Sequence, residues 1–316
     1  MKRVLAGLLL LIILAVLLGC TGTTVVYNCT CEESQEAVPP EKGAVKTGLG
    51  LHTTLSGENA APAEEGYVVL EVGAAAVRTD ASGVITACKL DGLMTRVFFD
   101  DTGTCTRDAV QPVSTAKTVD GGTDAWSHQA IRLEEYAIGK TAEELRSLER
   151  EFPEVWVVAL EKACENAQYL GAGAEDVLKL AGMYSLETAA RGSISLDWDA
   201  ATVTVREDTV RSCYLDALQV TVLLDEAGHI TTDLSAPVET KNQLKERYGM
   251  KAYGGARYEW YQQAANFATY VTGKTLPQIQ GIAVTPEGKA QEVDLASQVT
   301  IAITGFRELV CKAMQE

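Results

Sequence analysis

The chain has 316 residues, 47% of them apolar, which is enough material for two hydrophobic cores of ordinary domain size. Its 43 acidic residues against 27 basic give a net charge of −16, which argues against a nucleic-acid binder and against adhesion to anionic lipid through a general basic surface. Three histidines, with no Cys-x-x-Cys or His-x-x-x-His spacing, exclude the common metal-site patterns. The lack of a Gly-x-Ser-x-Gly, Walker or strand-linked Gly-x-Gly-x-x-Gly motif points to a carrier or binding protein rather than a catalyst.

Residues 1–19 read as a lipoprotein signal peptide. Lys2 and Arg3 precede an apolar run from Val4 to Leu18 that meets Gly19-Cys20, and the run falls short of the roughly 20 residues of a spanning helix. Leu17-Leu18-Gly19-Cys20 resembles a lipobox, with Leu18 bulkier than the residue usual there. The resemblance implies cleavage before Cys20, lipid on its thiol, and a membrane-anchored protein at the extracytoplasmic face. Loss of Lys2 and Arg3 leaves 25 basic against 43 acidic residues, a net charge of −18. Residues 20–43, rich in Thr, Glu and Pro and without apolar periodicity, read as a flexible tether.

Beyond the tether the chain is an internal duplication. Cys88-Lys-Leu-Asp91 recurs as Cys213-Tyr-Leu-Asp216, Pro112-Val-Ser-Thr115 as Pro237-Val-Glu-Thr240, and Tyr136-Ala-Ile-Gly-Lys-Thr141 as Tyr270-Val-Thr-Gly-Lys-Thr275. Upstream, Val77-Arg78 pairs with Val205-Arg206. The repeats occupy 44–169 and 170–316. In each, β-branched stretches (68–78 and 84–100 in the first) separated by turn signals such as Asp80-Ala-Ser-Gly83 predict an antiparallel meander. Ala130, Leu133 and Ala137, following Trp126, share the spacing of Trp260, Ala264, Phe267 and Val271, and each set lies on one helix face. Thr141-Ala-Glu-Glu144 and Thr275-Leu-Pro-Gln278 have capping-box form and open a second helix. A last helix surrounds Cys164 in one copy and Cys311 in the other. The fold class is therefore α+β, two tandem repeats, each an antiparallel sheet packed with helices on one side.

The chain has eight cysteines. With Cys20 lipidated and Cys29 and Cys31 in the tether, Cys88, Cys105, Cys164, Cys213 and Cys311 remain. They are either buried small apolar side chains or form a disulfide within each repeat, Cys88 to Cys164 and Cys213 to Cys311.

Two segments of the second repeat are candidate sites. In the first, Lys241, Lys245, Arg247, Lys251 and Arg257 cluster in an otherwise acidic chain, interleaved with Tyr248, Tyr253, Tyr258, Trp260 and Tyr261. Gly254-Gly255 stands before a predicted helix start, where free amides favour an anion, so a planar ligand with a phosphate suits the place. The alternative is that the tyrosines cap the core and the basic residues offset acids elsewhere. The second segment is Asp294-Leu-Ala-Ser297-Gln-Val-Thr300, which leads into the last helix. A sheet ending in Asp225-x-x-Gly228-x-Ile230, a helical hairpin, and then this Asp-x-x-Ser-x-x-Thr order resembles the FMN-binding domain of extracytoplasmic flavoproteins. The resemblance implies FMN, linked through its phosphate to the Thr300 hydroxyl by a flavin transferase, and an electron-transfer role with redox partners. On that reading Asp294, Ser297 and Thr300, with Lys251, Arg257, Tyr248 and Tyr253, form the cofactor site. Gln298 and Val299 depart from the Gly and Ala of the family motif. The alternative functions are a flavin-free surface module binding a small ligand or peptide near Tyr248 and Tyr253, or a structural lipoprotein.

Overall fold

The structure is a computed structural model that describes residues 45–106, 125–148, 151–188 and 192–316. The residues read as signal peptide and tether, with Cys20, Cys29 and Cys31, lie outside the described residues. In the first repeat, β1 (Lys46–Glu58), β2 (Gly66–Thr79) and β3 (Ile85–Phe99) form an antiparallel sheet in the order β1-β2-β3. Helices α1 (Ala125–Ala137), α2 (Ala142–Leu145, continued by a 3-10 turn at Arg146–Leu148) and α3 (Glu154–Glu165) follow. The second repeat has the sheet β4 (Val177–Thr188), β5 (Ser193–Arg206) and β6 (Thr209–Leu223) in the same order. It continues with α4 (Lys241–Leu244), a 3-10 turn at Lys245–Tyr248, α5 (Met250–Gly254), α6 (Trp260–Val271), α7 (Leu276–Gln280), α8 (Val293–Gln298) and α9 (Thr304–Gln315).

The period of two along the central strands decides what each sheet face meets. In β2, Val68, Leu70, Val72, Ala74 and Ala76 point one way, and in β5 Ile194, Leu196, Trp198 and Ala200 do the same; these two rows face each other in one continuous core. Ala75 and Val77 point the other way, onto Leu133, Trp156 and Leu160 of α1 and α3. Ala201, Val203 and Val205 pack on Phe267, Leu309 and Val310 of α6 and α9. Each sheet thus carries helices on one side, as expected, but the repeats are not two separate cores. A third core, sheet on sheet, joins them.

The helices dock by the predicted faces. Ala130, Leu133 and Ala137 are buried, as are Trp260, Ala264, Phe267 and Val271. The Thr141 amide donates to Glu144 Oε2 at 2.9 Å and the Thr275 amide to Gln278 Oε1 at 2.8 Å, so both predicted boxes form. Strand β1 escaped the sequence analysis because Gly48, Gly50 and Gly57 interrupt its pattern; a Cβ on Gly50 would stand 2.1 Å from the Ala159 carbonyl oxygen, so glycine is what lets α3 lie directly on the strand.

Pairing also corrects the internal alignment. Val77 pairs with Cys88 and Val203 with Cys213, which makes Val203, not Val205, the counterpart of Val77. The displacement arises in the hairpins. The first turn is built on Asp80, whose carboxylate accepts from the Ser82 and Val84 amides at 2.8 and 3.0 Å. The second is the two-residue turn Glu207-Asp208, with φ of 49° and 61°, the mirror-image turn that suits a tight hairpin.

The two repeats are clasped at both sheet edges. Beside β3, the Gly182 amide of β4 donates to Asp91 Oδ2 at 2.8 Å, and Gly182 is itself held within its own repeat by Lys312 Nζ, which donates to its carbonyl at 2.7 Å. At the opposite edge, the Thr47 and Ser212 hydroxyls meet at 3.0 Å. Near the start of the second repeat, the Asp176 carbonyl accepts from Arg78 of the first, while its buried carboxylate pairs with Arg206 of its own repeat at 2.6 Å. The five described cysteines are free. Cys88 and Cys213 are buried in the two helix-facing cores, and burial pushes the Cys213 thiol up to about 12, which keeps it unreactive.

Candidate functional site

The two segments singled out in the sequence meet at one buried side chain that sequence reading did not single out, Gln263 of α6. Its Oε1 accepts from the Thr300 amide at 2.7 Å, the Thr300 hydroxyl at 3.2 Å and the Ile301 amide at 3.1 Å. Its Nε2 donates to the Tyr258 carbonyl at 2.8 Å. Thr300 is therefore a half-buried residue whose hydroxyl is turned inward. Asp294 and Ser297 lie exposed on α8, where the Ser297 hydroxyl donates to the Asp294 carbonyl at 2.8 Å within its own turn.

The anion niche expected near Gly254-Gly255 is filled from within. Glu259, itself buried, accepts from the Met250 amide at 2.9 Å and the Lys251 amide at 3.2 Å. The same residue caps α6. The same carboxylate thus takes up amides at the starts of both α5 and α6, the second being the helix start that the sequence offered to an anion. The basic residues are also partly engaged: Arg247 makes a two-pronged pair with Glu239 at 2.7 and 2.6 Å, and Arg257 lies over the Tyr258 ring at 5.2 Å. Lys241 Nζ sits 5.4 Å from the ring centres of both Tyr248 and Trp260. Tyr248 packs on the core, Lys251 is exposed, and Tyr253 is 92% exposed, so these three do not enclose a common space.

These observations test whether FMN suits the residues present. A phosphate ester on Thr300 needs a hydroxyl free to react, small neighbours and open amide donors. Here the hydroxyl is bonded to Gln263, Val299 is buried in the core, and the nearby amides serve Glu259. The arrangement does not fit the group.

A cleft does open on the other side of α6, lined by residues from three distant parts of the chain. Two confluent chambers of about 210 and 300 Å³ share Gln168, Tyr214 and Ala265. The smaller adds Leu215, Asn242, Lys245 and Tyr261, and the larger adds Leu170, Cys213, Ala268, Thr269 and Thr272. The Thr269 and Thr272 hydroxyls donate to the Ala265 and Ala268 carbonyls at 2.9 Å each, so the larger chamber is apolar in effect. In the smaller one the Asn242 amide group is spent on the Leu215 carbonyl at 2.8 Å, and the Tyr261 hydroxyl on Glu246 at 2.8 Å. Burial pushes the Tyr214 hydroxyl up to about 12, so it is a neutral phenol. Lys245 holds φ 48° and ψ −120°, a conformation that costs a side-chain-bearing residue about 1–3 kcal/mol and that clusters at functional sites. The sequence signal for this cleft was the basic and aromatic segment, from which Lys245 and Tyr261 come; Gln168, Tyr214 and Ala265 carry no signal of their own.

Behind the smaller chamber lies Asp216, fully buried. Desolvation raises its carboxyl from 3.8 to about 6, against hydrogen bonds from Thr240, Asn242 and Ala217 and the charge of Lys241. The Asn242 amide reaches its Oδ1 at 3.1 Å. Asp216 therefore holds in place the loop that carries Asn242 and Lys245. Comparison with protein-family models, with curated proteins and with solved structures gives no match to this chain.

Proposed function

We propose that the chain is a lipoprotein, anchored through Cys20 at the extracytoplasmic face of a membrane, whose second repeat binds a small ligand in the cleft along α6. The cleft carries this reading. It has an apolar floor and few polar groups at one end, the usual make-up of a small-molecule site, and it is built where the inter-repeat linker, β6 and α6 converge. The first repeat supplies the wall at Gln168, held by paired backbone bonds to Thr47 at 2.9 and 3.1 Å, and otherwise acts as a scaffold.

Ligand screening of the mature chain by thermal shift tests the proposal, since a ligand at 100 times its Kd stabilises the folded state by about 2.7 kcal/mol. Ala265→Trp fills the shared part of the cleft from an exposed helix position and should abolish every such shift without lowering the unliganded melting temperature. Shifts that survive in this variant would place the ligand elsewhere. Anchoring is tested separately, as Cys20→Ala should release the chain from the membrane fraction. The competing reading, FMN esterified to Thr300, requires that hydroxyl to leave Gln263. Intact mass and a visible spectrum, measured after co-production with a flavin transferase, should show unmodified, colourless protein. An FMN-sized adduct absent from Thr300→Val would replace the proposal with an electron carrier.

A further inference from the structure

We infer that the ligand of this cleft is an amphipathic monocarboxylate, with its carboxylate on Lys245 and its apolar body along Ala265 and Ala268. The inference rests on the cleft reading and adds the chemical class. The chambers differ in character: the larger presents Leu170, Cys213, Ala268 and the methyl groups of threonines whose hydroxyls face their own helix. A ligand body there meets mostly hydrocarbon and sulfur, with Gln168 and Tyr214 where the two chambers join. At the other end a single cation waits. Arg247 is committed to Glu239 and Lys241 to the faces of two rings. Lys245 alone of the basic segment lines the cleft, and among the described residues no ion pair takes up its ammonium. Its neighbour Glu246 accepts from the Tyr261 hydroxyl at 2.8 Å and also feels the Lys245 charge, so the ligand's carboxylate competes with Glu246 for the ammonium. The backbone at Lys245 is held at positive φ by the Thr240 capping box before it and the Gly249 turn after it, so the ammonium is presented from a fixed loop. Two more polar side chains line both chambers: Gln168, a neutral amide that can accept or donate, and Tyr214, a neutral phenol whose hydroxyl faces Asn242. A phosphate, with its larger charge, would ask for more than one cation, and the lining of the smaller chamber offers Lys245 alone.

Decanoate and decan-1-ol, kept below their aggregation limits, test the point by calorimetric titration of the mature chain at neutral pH. Decanoate should bind roughly ten-fold tighter than the alcohol, the contribution of one charge-assisted contact. Lys245→Met should remove that advantage and leave the alcohol unchanged, while Lys245→Arg should retain it. Equal affinity for acid and alcohol, with both lost in Ala265→Trp, would overturn the carboxylate and leave the cleft standing. Binding of neither compound to the wild-type chain, or binding that Ala265→Trp does not disturb, would overturn the cleft assignment and the inference with it.

Discussion

Asp216→Asn should remove a large pH-dependent component of stability. The folded chain holds the Asp216 proton to about pH 6, whereas the unfolded chain releases it near 3.8, and burial is the main cause. Between those values folding takes up a proton, so the contribution of this group is fully present below pH 3.8 and is lost as pH rises through 6. At about 1.4 kcal/mol per pH unit, a gap of about two units amounts to ~3 kcal/mol. Full burial leaves no solvent screening to reduce it. Asparagine keeps an acceptor for the Asn242 and Ala217 amides, at 3.1 and 2.8 Å in the native chain, and does not titrate. Urea unfolding of both proteins from pH 3.5 to 8 gives the assay. The stability of the variant minus that of wild type should grow by ~3 kcal/mol from pH 3.5 to 7.5 and level off above. Asp199, also raised chiefly by burial, titrates in both proteins and cancels in the difference. A difference that stays constant across the range would refute the argument that burial dominates this site.

Gln263→Leu strips three donors of their acceptor and should cost about 3 kcal/mol, whereas Thr300→Val, which leaves the backbone bonds intact, should cost about 1 kcal/mol; denaturant midpoints at fixed pH separate them. Gly50→Ala drives a methyl toward the Ala159 carbonyl and should destabilise by about 3 kcal/mol or abolish soluble expression. Lys245→Gly should raise the unliganded stability by about 1 kcal/mol, because relief of the positive-φ strain exceeds the added chain entropy of glycine. If thermal denaturation shows this variant less stable than wild type, the strain assigned to Lys245 is wrong.

Elements whose signals are local were readable in the sequence. The helix faces through Leu133 and Phe267, the boxes at Thr141 and Thr275 and the hairpin at Asp80 follow from periodicity or capping chemistry within a few residues. Strand β1 was hidden because Gly48 and Gly50 answer to α3, more than 100 residues away. The alignment of Val77 with Val205 was misled by a length change in the hairpin, which only pairing to Cys88 and Cys213 reveals. Of the candidate site, the Lys241–Tyr261 segment was legible as an excess of cations and rings, but which of them face solvent, core or cleft depends on Glu259 and Gln263. A buried glutamate or glutamine has the same letter as an exposed one, so neither could be told apart in advance. The shared face between the sheets was equally invisible, since apolar residues on both faces of β2 and β5 say that both faces are covered and not by what.

That shared face constrains how the two halves can diverge. Each inner surface is the mould of the other, so a substitution at Val72 or Trp198 has to suit the opposite copy as well as its own. The outer, helical sides answer to no such mould. Internal similarity is accordingly strong along β3 and β6, while the Lys241–Tyr261 segment lacks a counterpart of its basic and aromatic character in the first half. The joint that binds the copies together also leaves one of them at liberty to specialise, and the cleft beside α6 sits on that side.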